Sequence, residues 1–151
     1  MLRKIGLIVF IAFITFGCKK KSEQINPNNP MVGTWKIESA IVTDNTRTLD
    51  YWHVASTYYP CVNEISYTFG NDYSFSTYEP PKCTYLDGSS FSLLPVKGTY
   101  SIEANKLLKI IDTSNYYTSG EISFSDGKAK WSIKEKVDSV TSTIDITFVK
   151  K

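Results

Sequence analysis

Glu121-Ile122-Ser123-Phe124-Ser125-Asp126-Gly127-Lys128-Ala129-Lys130-Trp131-Ser132-Ile133-Lys134 sets a turn dipeptide between two segments of the same short period. On either side of Asp126-Gly127, apolar and polar residues alternate. Ile122 and Phe124 oppose Glu121, Ser123 and Ser125, while Trp131 and Ile133 oppose Lys130, Ser132 and Lys134. A period of two gives one buried and one solvated face, the signature of a β-strand. Asp-Gly tolerates the positive φ of a two-residue turn, so the two strands form an antiparallel hairpin.

The same period recurs along the chain. Trp35, Ile37, Ser39 and Ile41 alternate with Lys36, Glu38, Ala40 and Val42; Ile65, Tyr67 and Phe69 alternate with Glu64, Ser66 and Thr68. Tyr73, Phe75 and Thr77, then Tyr100 and Ile102, then Ile144, Ile146 and Phe148 continue it. Leu107-Leu108-Lys109-Ile110-Ile111 is more continuously apolar, the pattern of a strand buried on both faces. Gly70-Asn71-Asp72 and Glu103-Ala104-Asn105-Lys106 read as further turns, and Pro80-Pro81 as a strand end or edge. No stretch beyond the N-terminal apolar run has a period of 3.6. The expectation is an all-β domain, an antiparallel up-and-down meander of about eight strands. Closure into a barrel would remove its exposed edges.

The N-terminus carries a different message. Met1-Leu2-Arg3-Lys4, an apolar run from Ile5 to Phe16, and Gly17-Cys18 form the basic, hydrophobic and small-residue parts of a secretory signal. The 13 residues from Ile5 to Gly17 would rise about 20 Å as a helix, short of the roughly 30 Å hydrocarbon core, and Lys19, Lys20 and Lys21 follow at once. Thr15-Phe16-Gly17-Cys18 resembles a bacterial lipobox. Gly17 and Cys18 fit it, whereas Thr15 and Phe16 depart from its commonest form. The resemblance implies cleavage before Cys18, acyl chains on that cysteine and anchorage to the membrane, with two chains making a stable anchor. Residues 1–17 are then a lipoprotein signal peptide and residues 18–30, polar and proline-punctuated, a flexible tether. Residues 31–151 make one domain.

Charge and cysteine usage bound the function. The 17 basic and 15 acidic side chains of the whole chain become 12 and 14 from Met31 onward. A near-neutral domain without a basic patch argues against nucleic-acid binding. With Cys18 acylated, Cys61 and Cys83 remain as one even pair in an oxidising compartment, either a disulfide or two separate buried thiols. There is no Cys-x-x-Cys and only one His, so no zinc ligand set can be assembled. No cofactor is expected.

Met31-Val32-Gly33-Thr34-Trp35-Lys36 resembles the Gly-x-Trp opening of lipocalins and of the small lipocalin-like lipoprotein domains common in Bacteroidota. Cys61, the alternating run to Phe69, the hairpin at Gly70 to Ser74, Cys83, and Gly98-Thr99-Tyr100 with its turn at Asn105 follow the same order and spacing. The resemblance spans about residues 31–149 and implies a lipocalin-like barrel with Trp35 plugging one end. In lipocalins an arginine of the last strand often covers that tryptophan. This chain ends Phe148-Val149-Lys150-Lys151, with no arginine to do so.

The candidate ligand contacts are aromatic. Tyr67, Phe75, Tyr100, Phe124 and Trp131 lie on the inward faces of the expected strands, lining a cavity if the barrel is roomy and filling it if the barrel is narrow. The connection from Thr43 to Pro60 is long and too aromatic for disorder; in lipocalins the loop after the first strand folds over the open mouth. Tyr51, Trp52, Tyr58 and Tyr59 are therefore the candidate contacts on that lid, with shielding of the barrel end as the plain alternative. His53 has no nucleophile or second group nominated beside it and is a poor catalytic candidate. These features together indicate a lipid-anchored outer-membrane protein, on the periplasmic face or the cell surface. It is expected to act as a non-enzymatic binding module for a small apolar ligand in the barrel. The alternative is an accessory module with a filled core that binds an envelope protein or a glycan.

Overall fold

A computed structural model describes residues 28–81, 83–137 and 140–151. The signal segment, Cys18 and residues 18–27 of the tether lie outside the described residues. Nine strands run in chain order: β1 (Gly33–Thr43), β2 (Thr48–Asp50), β3 (Ser66–Phe69), β4 (Ser74–Tyr78), β5 (Lys97–Glu103), β6 (Leu107–Asp112), β7 (Tyr117–Ser125), β8 (Lys128–Val137) and β9 (Val140–Lys150). A short helix, α1 (Tyr51–Tyr58), and a 3-10 turn, Pro60–Glu64, stand between β2 and β3. Each of β1, β3, β4, β5, β6, β7, β8 and β9 pairs antiparallel with the next, and β9 pairs back onto β1. Eight strands therefore close a barrel, and β2 lies beside the last residues of β1.

The Asp126-Gly127 turn has φ of 49° and 73°, the left-handed pair that a two-residue hairpin demands. Its flanking residues pair as the alternation predicts, Ile122 with Trp131 and Phe124 with Ala129. On β1 the alternation breaks. Ile37 pairs with Phe148 and Ser39 with Thr147, so Glu38 is an extra residue, a β-bulge. Beyond it Ala40 pairs with Ile146 and Val42 with Ile144. These two, rather than Ser39 and Ile41, take the inward face, because one inserted residue reverses the phase. The displaced Glu38 carboxylate accepts from Lys128 Nζ at 2.7 and 2.8 Å.

β6 also differs from its reading. Leu108 and Ile110 are buried, but Ile111 is 37% exposed. A single closed sheet has no outer layer, so only its inner face can be covered.

At one end of the barrel Trp35 Nε1 donates to the Met31 carbonyl at 2.7 Å. Lys150 Nζ stands 5.2 Å from the centre of the Trp35 ring. The cation missing from the sequence reading as an arginine is thus supplied by a lysine, which attracts the ring face in the same way. Beside it the Tyr100 hydroxyl donates to the Gly70 carbonyl at 2.9 Å and accepts from Asn29 Nδ2 at 2.8 Å. Asn29, within the stretch read as tether, is therefore tied to the barrel.

Close approach of β7 and β8 depends on Gly120. A Cβ there would lie 2.3 Å from the Ser132 carbonyl oxygen and 2.8 Å from Trp131 Nε1. Gly120→Ala is expected to destabilise the domain by about 2 kcal/mol or more through this overpacking. A drop of roughly 8 °C in Tm on thermal unfolding would check it.

Candidate functional site

Because neighbouring strands alternate in direction, β1, β4, β6 and β8 end where β3, β5, β7 and β9 begin. That rim, opposite Trp35, carries α1, the 3-10 turn and the long connection 79–96. The region read as a loop contains a helix. Asp50 is its N-cap, its carboxylate accepting from His53 N at 3.0 Å. Trp52 and Ala55, three residues apart, are its buried face, and it packs against β1. Those two residues behind an Asp were the available signal. The aromatic and β-branched composition of an eight-residue segment obscured it.

The cover is held together by cross-chain bonds. Cys61 and Cys83 form a disulfide, so the alternative of separate thiols is set aside. The bond joins the 3-10 turn to the connection after β4. Tyr59 packs at 4.5 Å, centre to centre, on Phe91 and at 5.9 Å on Tyr85; Tyr85 and Phe91 are 3.8 Å apart. The Tyr51 and Tyr85 hydroxyls are hydrogen-bonded, and burial followed by that bond raises the Tyr51 pKa. Ser92 reaches down to the Tyr67 hydroxyl at 3.4 Å, and burial pushes the Tyr67 phenol up to about 12. Tyr85 and Phe91 had no strand pattern to single them out, and only the fold brings them to Tyr59.

Trp52, Tyr67, Phe75, Tyr100 and Trp131 share one core cluster, with Tyr51, Tyr59 and Phe124 partly buried against it. Tyr58 stands apart, 75% exposed at the end of α1. The cluster has two layers of origin. Trp35, Ile37, Tyr67, Phe69, Phe75, Leu108, Ile110, Trp131, Ile146 and Phe148 come from the wall, whereas Trp52, Ala55, Val62, Phe91 and Leu94 come from the cover. Tyr100 belongs to the opposite end, where burial raises its pKa to about 12.

Two indole N–H groups in this core, Trp52 Nε1 and Trp131 Nε1, have no hydrogen-bond partner among the described residues. His53 is exposed and contributes its backbone N–H to the helix cap. Among the described residues no three His, Cys, Asp or Glu side chains converge as metal ligands.

The surface has hollows along β7. One of about 520 Å³ is lined by Tyr116, Tyr117, Lys134 and Glu135, and another of about 500 Å³ by Lys109, Ile111, Asn115 and Tyr117. Tyr116 and Tyr117 are mostly exposed there.

A family model described as a lipocalin-like domain matches residues 31–131. No curated protein and no solved structure matches the chain.

The disulfide closes a loop between residues 22 apart. Replacing both Cys61 and Cys83 with Ala should reduce stability by about 3 kcal/mol on the chain-entropy view. The check is a lower urea midpoint with a steeper slope, because the unfolded chain without its cross-link exposes more surface.

Proposed function

The chain belongs to the lipocalin-like domain family, and from that premise we propose that it is a non-enzymatic binding module for a small, largely apolar molecule held at the α1 end of its barrel. One observation carries this reading. The wall is a closed ring of strands with an apolar inner face, but the space at its α1 end is filled by Trp52, Ala55, Val62, Phe91 and Leu94, none of them on a barrel strand. Side chains on a separate cover can withdraw without opening the wall. What they leave is an apolar cup of the kind that holds small ligands.

The cell-envelope setting belongs to the same proposal. Cleavage before Cys18 and acylation of its thiol would tether the domain to the outer membrane, on its periplasmic face or the cell surface. The chain enters the barrel at the Trp35 end, where Asn29 is bonded to Tyr100. A lipid on Cys18 would therefore leave the covered mouth at the end away from the point of attachment.

A second reading has its own observation. Exposed Tyr116 and Tyr117, beside the two hollows, offer flat amphipathic surfaces to an envelope protein or glycan while the core stays filled.

Native mass spectrometry of residues 22–151, purified from the periplasm of the source organism, separates the two. An added mass that leaves on denaturation is the expected result. A bare polypeptide would move the function to the outer face around Tyr117. For the anchor, incorporation of labelled palmitate into the wild-type chain and its loss in Cys18→Ser is expected. Equal labelling of both would discard the lipoprotein assignment.

A further inference from the structure

We infer that the ligand of this barrel is a neutral molecule carrying a hydrogen-bond acceptor, a ketone, ester or quinone-type oxygen, which is received by the indole N–H groups of Trp131 and Trp52. The inference rests on the proposed function and specifies its ligand class.

The chain has three tryptophans. Trp35 has its donor satisfied by the Met31 carbonyl at 2.7 Å. Trp52 and Trp131 are 2% and 0% exposed, and neither Nε1 has a partner among the described residues. Buried indole N–H groups normally find an acceptor, since an orphaned donor loses its hydration with nothing in return. Two orphans in one core point to an acceptor that the described residues do not provide.

Both donors belong to one core cluster. Trp52 projects from α1 itself into the core. Trp131 sits on β8 opposite Ile122, yet its Nε1 lies against Gly120, two residues nearer the β7 start at Tyr117. Gly120 leaves the indole nitrogen unobstructed by a side chain on that side.

The surroundings select the acceptor. Ser66 is the only polar or charged residue buried among the described residues, and no lysine, arginine or histidine is. A carboxylate brought into this interior would be an unpaired charge, which desolvation penalises far more than a neutral oxygen. Apart from the Tyr67 hydroxyl, which accepts from Ser92, the walls offer apolar and aromatic contact. A molecule with an apolar body and a neutral carbonyl at the entering end fits both requirements.

The test uses the full-length lipidated chain in phospholipid nanodiscs, with tryptophan labelled by nitrogen-15, and three probes: 2-undecanone, undecane and undecanoate. The ketone is expected to move the Trp52 and Trp131 indole signals downfield and leave that of Trp35 in place. It should bind at least about tenfold more tightly than undecanoate. Trp131→Phe and Trp52→Phe, which keep an aromatic ring and remove the donor, should each weaken ketone binding about five- to tenfold and leave undecane unaffected. The wild-type signals decide the matter even where a variant fails to fold. Binding of all three probes with unmoved indole signals would overturn the inference, assign the donors to internal water and leave the binding function standing. Binding of none would overturn the function and the inference together.

Discussion

Pairing of β1 with β9 is the contact on which the rest of the molecule depends. A meander of antiparallel strands has two raw edges until its first strand meets its last. β1 meets this demand on both sides at once. Its Gly33–Trp35 residues pair with β3 and its Ile41–Thr43 residues with β2, while the opposite edge runs along β9 from Lys150 to Thr143. A strand of 11 residues that serves three neighbours must bend, and the bulge at Glu38 supplies the bend. The same insertion turns Ala40 and Val42 inward, next to Ile146 and Ile144. Closure and core composition are thus one event.

Closure also explains why the cover is a separate unit. Once the ring is complete, its rim has no strand to add, and the chain between β2 and β3 must cross the opening instead. An eight-residue helix is too short to persist alone. It holds because Asp50 caps it, Trp52 and Ala55 are buried beneath it, and the disulfide fastens the adjoining turn to the β4–β5 connection. The Tyr51–Tyr85 hydrogen bond and the Tyr59–Phe91 stack make the same connection from the aromatic side. The wall is stabilised by backbone ladders, the cover by side chains and one covalent bond. Elements with few ladder bonds are those that open first.

This division decides what could be read from residue order. The strands were legible because a ladder enforces a period of two, visible at Ile122, Phe124, Trp131 and Ile133 and at Ile144, Ile146 and Phe148. The bulge was not, since Ser39-Ala40-Ile41-Val42 offers small or apolar residues in either phase and only the partner strand chooses between them. Ile111 misled for the related reason that apolar character does not specify a second layer. In the site, the inward aromatics and the cysteine pair were legible, while Tyr85 and Phe91 sit in a stretch with no period at all. Their meeting with Tyr59 follows from the disulfide, a contact across the chain that local pattern does not encode. Lys150 shows a further case, in which the role survives and the residue type changes.

The three tryptophans differ in how their donors are met. At the Trp35 end every polar demand is met from within: the indole bonds to Met31, its ring lies beneath Lys150, and Tyr100 links Asn29 to Gly70. Nothing there invites a visitor. Elsewhere in the core the same residue type appears twice with its donor unmet among the described residues, Trp52 on the cover and Trp131 on β8. A core optimised for stability alone would place phenylalanine or leucine at both positions, since an indole adds a donor that must be satisfied. Under the proposed function these unmet donors are where a ligand's acceptor would be received, and with no cation buried among the described residues that ligand would be neutral.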